Sequence, residues 1–223
     1  MEKRIISLKD VSLSLETLLD ALSLDKDDDT ADEIAGLLDE ANKIVKPVAV
    51  YSPFKPVFCD GKIILNEIGL KESFIYEMIL TSPIAIPYAV TCGLEIDKWS
   101  KTINDYFNQF VAETIKQLYL KLMVDELFTV VKGKFFEENT YLSTINPGSL
   151  KEWPLSGQVS LFKILGDVKN DIGVTLEDNF FMTPAKSVSG IIFQTDEKLH
   201  NCKHCLRADC PDRRTSYIED LMF

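Results

Sequence analysis

Three of the five cysteines lie within nine residues near the end of the sequence, as Cys202, Cys205 and Cys210. The Cys202-x2-Cys205 spacing puts two thiolates within reach of one metal ion, and Cys210 can add a third. A fourth ligand would complete a structural zinc site or an iron–sulfur cluster. The candidates for it are Cys92, Cys59, His200 and His204, of which Cys92 completes our predicted set. Redox-active thiols, or three reduced thiols without a metal, are the alternatives.

The charge of this cysteine-rich end differs from that of the chain as a whole. The 223 residues carry a formal net charge of −11, whereas residues 198–214 hold five basic and two acidic side chains, an excess of +3. Basic side chains beside thiols lower the pKa values of the thiols and offset the negative charge of a thiolate–metal centre. The overall negative charge argues against a nucleic-acid partner, which requires a basic face.

The apolar content indicates a globular protein that does not enter a membrane. Hydrophobic residues make up 46% of the sequence, enough for a substantial core. No apolar run approaches the roughly 20 residues of a membrane helix. The first residues lack the pattern of a secretory signal, so we expect a cytoplasmic location and no membrane partner.

Two backbone corners could bring main-chain groups close to a ligand. The first is the loop Asn146-Pro147-Gly148-Ser149, which has strong turn chemistry. In the second, Pro184 forms a corner that is followed by Lys186-Ser187-Val188-Ser189-Gly190 at the start of an apolar strand. The small residues Ser187, Ser189 and Gly190 allow close approach of a second backbone or of a ligand. A tight sheet corner without a ligand is the alternative.

The elements that must position these corners change in character along the chain. Apolar spacings of three and four residues predict an antiparallel helix pair over residues 1–47. Short apolar runs then predict strands, including Val48–Tyr51 and a hairpin that turns at Asp60-Gly61. A long helix is predicted over residues 97–131, with Asp97 as its N-cap.

Three further predictions concern the strand before the long helix and a helix after the first corner. Residues 84–91 form a β-type run that Pro87 interrupts, which predicts an edge strand or a bulge. The helix that contains Leu161 and Leu165 is predicted to be capped by Ser156 and to end at Gly166. Because helices and strands do not alternate regularly, the pattern favours an α+β fold with flanking helices and a largely antiparallel sheet.

From Pro147-Gly148 onward, the order of elements resembles the activation domain of cobalamin-dependent methionine synthase, and still more the free-standing proteins related to it. The resemblance covers about 50 of the 223 residues. The matching residues are Asn146-Pro147-Gly148-Ser149, Trp153-Pro154, Leu161-Phe162-x-x-Leu165, Ile172-Gly173-Val174-x-Leu176, Met182-x-Pro184 and Lys186-Ser187-Val188-Ser189-Gly190.

This resemblance implies a C-shaped α+β fold on a twisted antiparallel sheet, with S-adenosylmethionine as the ligand. Domains of this family present the methyl group of that ligand to an inactive cobalt(II) corrinoid while a flavoprotein supplies an electron. The expected partners are therefore a corrinoid protein or methyltransferase that carries the cobalamin, and an electron donor. The protein would then belong to a methyltransferase system and not act as a self-contained enzyme.

Apolar periodicity, the resemblance and the cysteine spacing together predict three segments, and the resemblance also implies a set of ligand contacts. Residues 1–47 would be a helical segment packed on the main domain, 48–197 the activation-type domain, and 198–223 the cysteine-rich tail. The ligand-facing cleft would be lined by Asn146, Pro147, Gly148, Ser149, Lys186, Ser187, Ser189 and Gly190.

The ligand loop departs from the family pattern at two positions. The family has an arginine before the Pro-Gly and a tyrosine just after it, where this sequence has Thr144 and Ser149. An arginine can hold a ligand carboxylate through two hydrogen bonds, and threonine cannot. The alternative function is therefore a metal-binding or iron–sulfur electron-transfer module that no longer binds S-adenosylmethionine.

Overall fold

The computed structural model of the chain describes residues 2–9 and 11–195. Within these residues, five strands form one antiparallel sheet, in the spatial order Arg4–Ser7, Val48–Tyr51, Ala85–Thr91, Ser187–Thr195 and Tyr141–Ile145. A smaller antiparallel sheet of three strands and another of two accompany it. The predicted α+β class with an antiparallel sheet and flanking helices is therefore confirmed.

The elements have the following bounds in the described part of the chain. The strands are β1 (Arg4–Ser7), β2 (Val48–Tyr51), β3 (Val57–Cys59), β4 (Lys62–Leu65), β5 (Ile68–Leu70), β6 (Ala85–Thr91), β7 (Tyr141–Ile145), β8 (Thr175–Leu176), β9 (Met182–Thr183) and β10 (Ser187–Thr195). The helices are α1 (Leu15–Leu22), α2 (Ala31–Ile44), α3 (Ser73–Ile79), α4 (Leu94–Ser100), α5 (Tyr106–Phe135), α6 (Gln158–Leu165) and α7 (Val168–Ile172), with a short 3-10 turn over Leu155–Gly157.

The central sheet separates two hydrophobic cores. Side chains alternate between the two faces of a strand, so Ile86, Tyr88 and Val90 of β6 point to one face and Ala85 and Ala89 to the other. The first face packs against α1, α2, α4 and α5. The second face packs against α3, α6, α7 and the small sheet that contains β4 and β5. Because both faces are covered, all seven residues of β6 are buried.

Pro87 was predicted to mark an edge strand or a bulge, and this prediction is wrong. Strand β6 lies in the middle of the sheet, between β2 and β10. The last residue of β2 is Tyr51, which pairs with Tyr88. The Pro87 carbonyl still accepts a hydrogen bond from Ser52 N at 3.0 Å, just beyond that end. The main-chain N of Pro87, which carries no hydrogen, is therefore on the side of β2 and lies beside the end of that strand. The hydrogen bonds between β6 and β10, on the other side, are unaffected.

The long helix over residues 97–131 is also corrected. The structure has two helices, α4 and α5, and Asp105 caps the second by accepting a hydrogen bond from Asn108 N at 2.9 Å. Asp97 lies inside α4, where its carboxylate binds lysine side chains and caps no helix. With 30 residues, α5 is the longest helix in the described part of the chain.

Two smaller corrections concern the ends of helical segments. Within the helical segment predicted over 1–47, Arg4–Ser7 form the strand β1, which pairs with β2. Helix α6 begins at Gln158 after the 3-10 turn, with Gly157 as its N-cap, so Ser156 is not the cap. Its end at Gly166, which has a φ of 82°, is as predicted. None of the helices in the described ranges has the length and apolar character that a membrane crossing requires.

Candidate ligand-binding cleft

The structure brings the two predicted backbone corners together. Strand β7 ends at Ile145, which pairs with Ile191 of β10. The next residue, Asn146, turns its side chain onto β10, and its Nδ2 donates to the Ser189 carbonyl at 2.7 Å. The same Nδ2 donates to the Tyr88 hydroxyl at 2.9 Å. One amide group therefore joins the Pro-Gly loop to the Ser-Gly corner and to the neighbouring strand.

Gly190 has to be glycine because β7 and Asn146 approach its backbone closely. A Cβ atom placed there would lie 2.5 Å from the Ile145 carbonyl oxygen and 2.5 Å from Asn146 Nδ2. Non-bonded atoms in proteins do not come this close to a Cβ atom. An alanine at position 190 would therefore push β7 away from β10. The small residue predicted to permit close approach therefore permits the approach of another backbone.

The Pro-Gly loop is fixed by hydrogen bonds within residues 146–153. Gly148 has a φ of 82°, in the left-handed region, and its N–H donates to the Trp153 carbonyl at 2.8 Å. Ser149 N donates to the Asn146 carbonyl at 3.1 Å. Pro147 is buried, whereas Gly148 is exposed and Ser149 is half-buried. The loop therefore presents its Gly148 side to solvent on a fixed backbone.

The polar groups at this junction are neutral. Tyr88 is 1% exposed, and its hydroxyl lies 3.0 Å from the Thr144 hydroxyl. Burial raises the pKa of the Tyr88 phenol, so it stays protonated at neutral pH. On the opposite face of β10, the Ser189 hydroxyl donates to Gln158 Oε1 at 3.3 Å. The position that holds arginine in the resembling family is therefore occupied by a hydroxyl in contact with a tyrosine.

A charged pocket of about 310 Å³ lies where β9 leads into β10 and faces α4 and α5. One of its lining residues is Lys116, which is 2% exposed. The Lys116 ammonium donates to Asp97 Oδ1 at 3.0 Å, to Ser100 Oγ at 2.9 Å and to Glu113 Oε1 at 2.6 Å. These contacts use all three ammonium protons. The full lining is Asp97, Ser100, Lys101, Gln109, Glu113, Lys116, Thr183 and Ala185.

The charges in this pocket stabilise one another. Burial raises the pKa of Asp97, but hydrogen bonds from Lys101 and Lys116 outweigh it and leave that pKa below its ordinary value. Burial lowers the pKa of Lys116, but hydrogen bonds to Glu113 and Asp97 outweigh it and leave that pKa above its ordinary value. Both side chains are therefore ionised at neutral pH, as a buried ion pair must be to remain stable.

Lys186 links this pocket to the second corner. Its ammonium lies 3.8 Å from Glu113 Oε2, and its side chain is 28% exposed. Its carbonyl accepts a hydrogen bond from Cys92 N at 3.2 Å, which holds the residue against the end of β6. The next residue, Ser187, donates its hydroxyl to the Pro184 carbonyl at 2.8 Å and so closes the corner. The Thr183–Pro184 peptide bond in this corner is cis.

Cys92, the fourth ligand of the predicted metal set, is buried. Its side chain lies in the core between the sheet and helices α1, α2, α4 and α5, and it is 0% exposed. Burial raises the pKa of its thiol to about 12, although the nearby Lys116 charge lowers it. The thiol is therefore protonated at neutral pH, and a metal ion would have to displace this proton in order to bind. Cys59 is exposed. The other predicted ligands Cys202, Cys205 and Cys210, and the candidates His200 and His204, lie outside the described residues.

Sequence reasoning missed two groups of side chains at this site. The charged cluster of Asp97, Glu113 and Lys116 is predictable in part, since residues 113 and 116 are three apart and lie on one face of α5. The sequence does not show that α4 packs its acidic residue onto that face. The contact of Tyr88 with Thr144 requires the register of three strands, which the sequence does not specify.

The overall fold is similar to that of a solved reactivation domain. A crystal structure of the MetH reactivation domain bound to AdoHcy superposes with a TM-score of 0.63 and 18% sequence identity, covering 90% of this chain and 81% of that chain. No protein-family model matches the sequence. No curated protein matches it either. The likeness extends far beyond the 50 residues from which the resemblance was inferred, and it concerns the fold.

Proposed function

We propose that this protein binds S-adenosylmethionine between its two backbone corners and acts as a reactivation or accessory protein for a corrinoid-dependent methyltransferase. The observation that carries the proposal is the junction of Asn146 with Ser189 and Gly190, which joins the two segments of the sequence resemblance. The fold that holds this junction matches a reactivation domain over 90% of the chain. That domain was crystallised with AdoHcy, the demethylated form of the proposed ligand.

In this proposal the chain binds and orients the ligand. Main-chain groups of Pro147 and Gly148 would contact the nucleoside, because the loop is rigid and Gly148 is exposed. Lys186 and Ser187 would form the opposite side of the cleft. Ser189 and Gly190 are buried, so they would support the cleft by holding Asn146 and β7 against β10. The corrinoid on the partner protein would supply the cobalt chemistry.

The surface around the charged pocket supports docking of a partner. Gln109 and Glu113 line the pocket from α5, and Tyr106 and Phe110 of the same helix are 88% and 59% exposed. Phe181, two residues before the lining residue Thr183, is 61% exposed. Aromatic side chains are enriched in protein interfaces. We propose that the corrinoid-carrying partner binds over this side of the cleft.

Calorimetric titration with S-adenosylmethionine and S-adenosylhomocysteine tests the ligand half of the proposal. We expect saturable binding of both compounds, and weaker binding by Asn146→Ala, which loses the amide that joins the corners. The matched control is Asn42→Ala. The Asn42 side chain, on α2, also binds main-chain groups, those of Leu13, but it lies in neither corner. A folded protein that releases no heat with either compound would exclude a role in presenting S-adenosylmethionine.

The cysteine spacing favours a second candidate function, a metal-binding or iron–sulfur electron-transfer module. Three cysteines within nine residues are hard to explain in a protein that does not use thiol chemistry. Anaerobic purification with metal analysis and visible absorption distinguishes the possibilities. A brown protein with iron and sulfide supports electron transfer, and a colourless protein with one zinc ion per chain supports a structural site. A metal-free protein contradicts both.

A further inference from the structure

We infer that Lys186 binds the carboxylate of the ligand, so that the cleft selects an S-adenosyl amino acid over a nucleoside that lacks the amino-acid arm. This inference rests on the proposed function, since it names the part of the ligand that the charged pocket receives. It assigns to Lys186, which directly precedes β10, the positive charge that Thr144 does not supply.

The end of the cleft beside β7 is unsuited to a carboxylate. The Thr144 hydroxyl lies against the Tyr88 hydroxyl, whose pKa is raised by burial. The Asn146 amide donates to Tyr88 and to the Ser189 carbonyl. These groups are neutral, and their described hydrogen bonds are directed to one another. A carboxylate placed there would lose its hydration without gaining a charged partner, which is costly.

The charged pocket lies at a suitable distance along the same strand. Lys186 directly precedes β10 and Ser189 is its third residue, so their backbones are separated by about 10 Å at the usual rise per residue of a strand. A nucleoside at the Asn146 junction can therefore extend its amino-acid arm along the start of β10 to the Lys186 side chain. The pocket of about 310 Å³ that opens beside Ala185 provides the room.

Of Lys101, Lys116 and Lys186, Lys186 makes the longest ion pair. We call this contact between Lys186 and Glu113 the open pair. Lys116 already donates to three acceptors. Lys101 donates to Asp97 Oδ2 at 2.6 Å. The 3.8 Å between Lys186 Nζ and Glu113 Oε2 is an ion pair too long for a hydrogen bond. This contact leaves the Lys186 donors available to another acceptor.

Glu113 is oriented so that a zwitterion fits between it and Lys186. Lys116 donates to Glu113 Oε1 at 2.6 Å, which fixes the carboxylate with Oε2 toward Lys186. A ligand carboxylate would accept from Lys186, and the ligand ammonium would donate to Glu113 Oε2. Each ionic group of the open pair would then gain an oppositely charged partner, and the net charge of the pocket would stay unchanged.

Calorimetry with two ligands tests the inference on the full-length protein. S-Adenosylhomocysteine carries the amino-acid arm, whereas methylthioadenosine has the same nucleoside and thioether without it. We expect the first to bind at least about tenfold more tightly, the usual effect of a hydrogen bond to a charged group. Lys186→Met should remove about tenfold from the affinity for S-adenosylhomocysteine and leave that for methylthioadenosine unchanged.

Lys46→Met is the matched control, because it removes the same charge from an exposed ion pair with Glu95. We expect it to bind both ligands as the unaltered protein does. Equal affinities of the unaltered protein for the two ligands, or equal losses for both in Lys186→Met, overturn the inference and leave the proposed function standing. Absence of binding by either ligand overturns the proposed function, and the inference with it.

Discussion

Gly190→Ala should destabilise the protein by separating strands β7 and β10, which meet beside the two corners. The added Cβ would lie 2.5 Å from the Ile145 carbonyl oxygen and 2.5 Å from Asn146 Nδ2. The amide side chain can move, but the carbonyl can move only with β7 itself. Inserting a methyl group into packed structure costs about 1–3 kcal/mol of the free energy of unfolding. For a chain of this size, this corresponds to a melting temperature lower by about 2–12 °C.

Urea denaturation followed by circular dichroism measures this loss, and Gly133→Ala is the matched control. Gly133 lies in the exposed surface of α5 with no atom within 4 Å of its Cβ position. Alanine is favoured over glycine in a helix by about 1 kcal/mol, so this substitution should stabilise the protein. The two glycine-to-alanine changes should therefore shift the urea midpoint in opposite directions. If Gly190→Ala is neutral or stabilising, the close approach of β7 to β10 is refuted.

Three further predictions concern the charged pocket, the two described cysteines and the cap of α5. Lys116→Met should cost about 3 kcal/mol at pH 7 by leaving Asp97 buried with one partner fewer. Urea denaturation at a series of pH values measures how much the Asp97–Lys116 ion pair stabilises the unaltered protein. This stabilisation should be complete between pH 3.8 and 10.5, the ordinary pKa values of Asp97 and Lys116. It should be lost as the pH falls through the lowered pKa of Asp97 or rises through the raised pKa of Lys116; a loss unchanged by pH would contradict this. Alkylation followed by peptide mapping should modify Cys59 in the native protein and Cys92 only after unfolding, since Cys92 is buried with a thiol pKa of about 12; rapid native modification of Cys92 would show that its site opens. Asp105→Ala should lower the free energy of unfolding by about 1 kcal/mol through loss of the α5 cap, whereas an unchanged urea midpoint would mean that the cap adds nothing.

The parts of the fold that sequence predicted correctly depend on local chemistry. The hairpin at Asp60-Gly61 forms as expected, because both residues adopt positive φ values there. The end of α6 at Gly166 is likewise fixed by one residue's backbone preference. Such features need no knowledge of distant segments, which is why single residues indicate them.

The wrong predictions arose where tertiary contacts decide the outcome. Pro87 lies in a central strand because β2 stops beside it, and the length of β2 cannot be read from residues near Pro87. Asp97 has the residue type of an N-cap, but its carboxylate is committed to Lys116, 19 residues away. The chain instead breaks before Asp105, which caps α5.

The candidate site was predictable in part. Glycine and small residues indicated close approach at Gly190, and the structure shows what approaches it. The charged pocket was not predicted, because its lining comes from α4, from α5 and from Thr183 and Ala185, which lie far apart in the sequence. The prediction that a metal ion binds Cys202, Cys205 and Cys210 rests on sequence spacing alone. Metal analysis is therefore its direct test.

Hydrogen exchange with and without S-adenosylhomocysteine tests most directly whether the two corners form one ligand site. The proposal predicts that the ligand slows amide exchange in Asn146–Ser149 and in Lys186–Gly190 together, although these segments are about 40 residues apart. The amides of α2 should exchange at the same rate with and without the ligand. Slowed exchange in only one of the two corners, or at a different surface, would contradict a shared cleft.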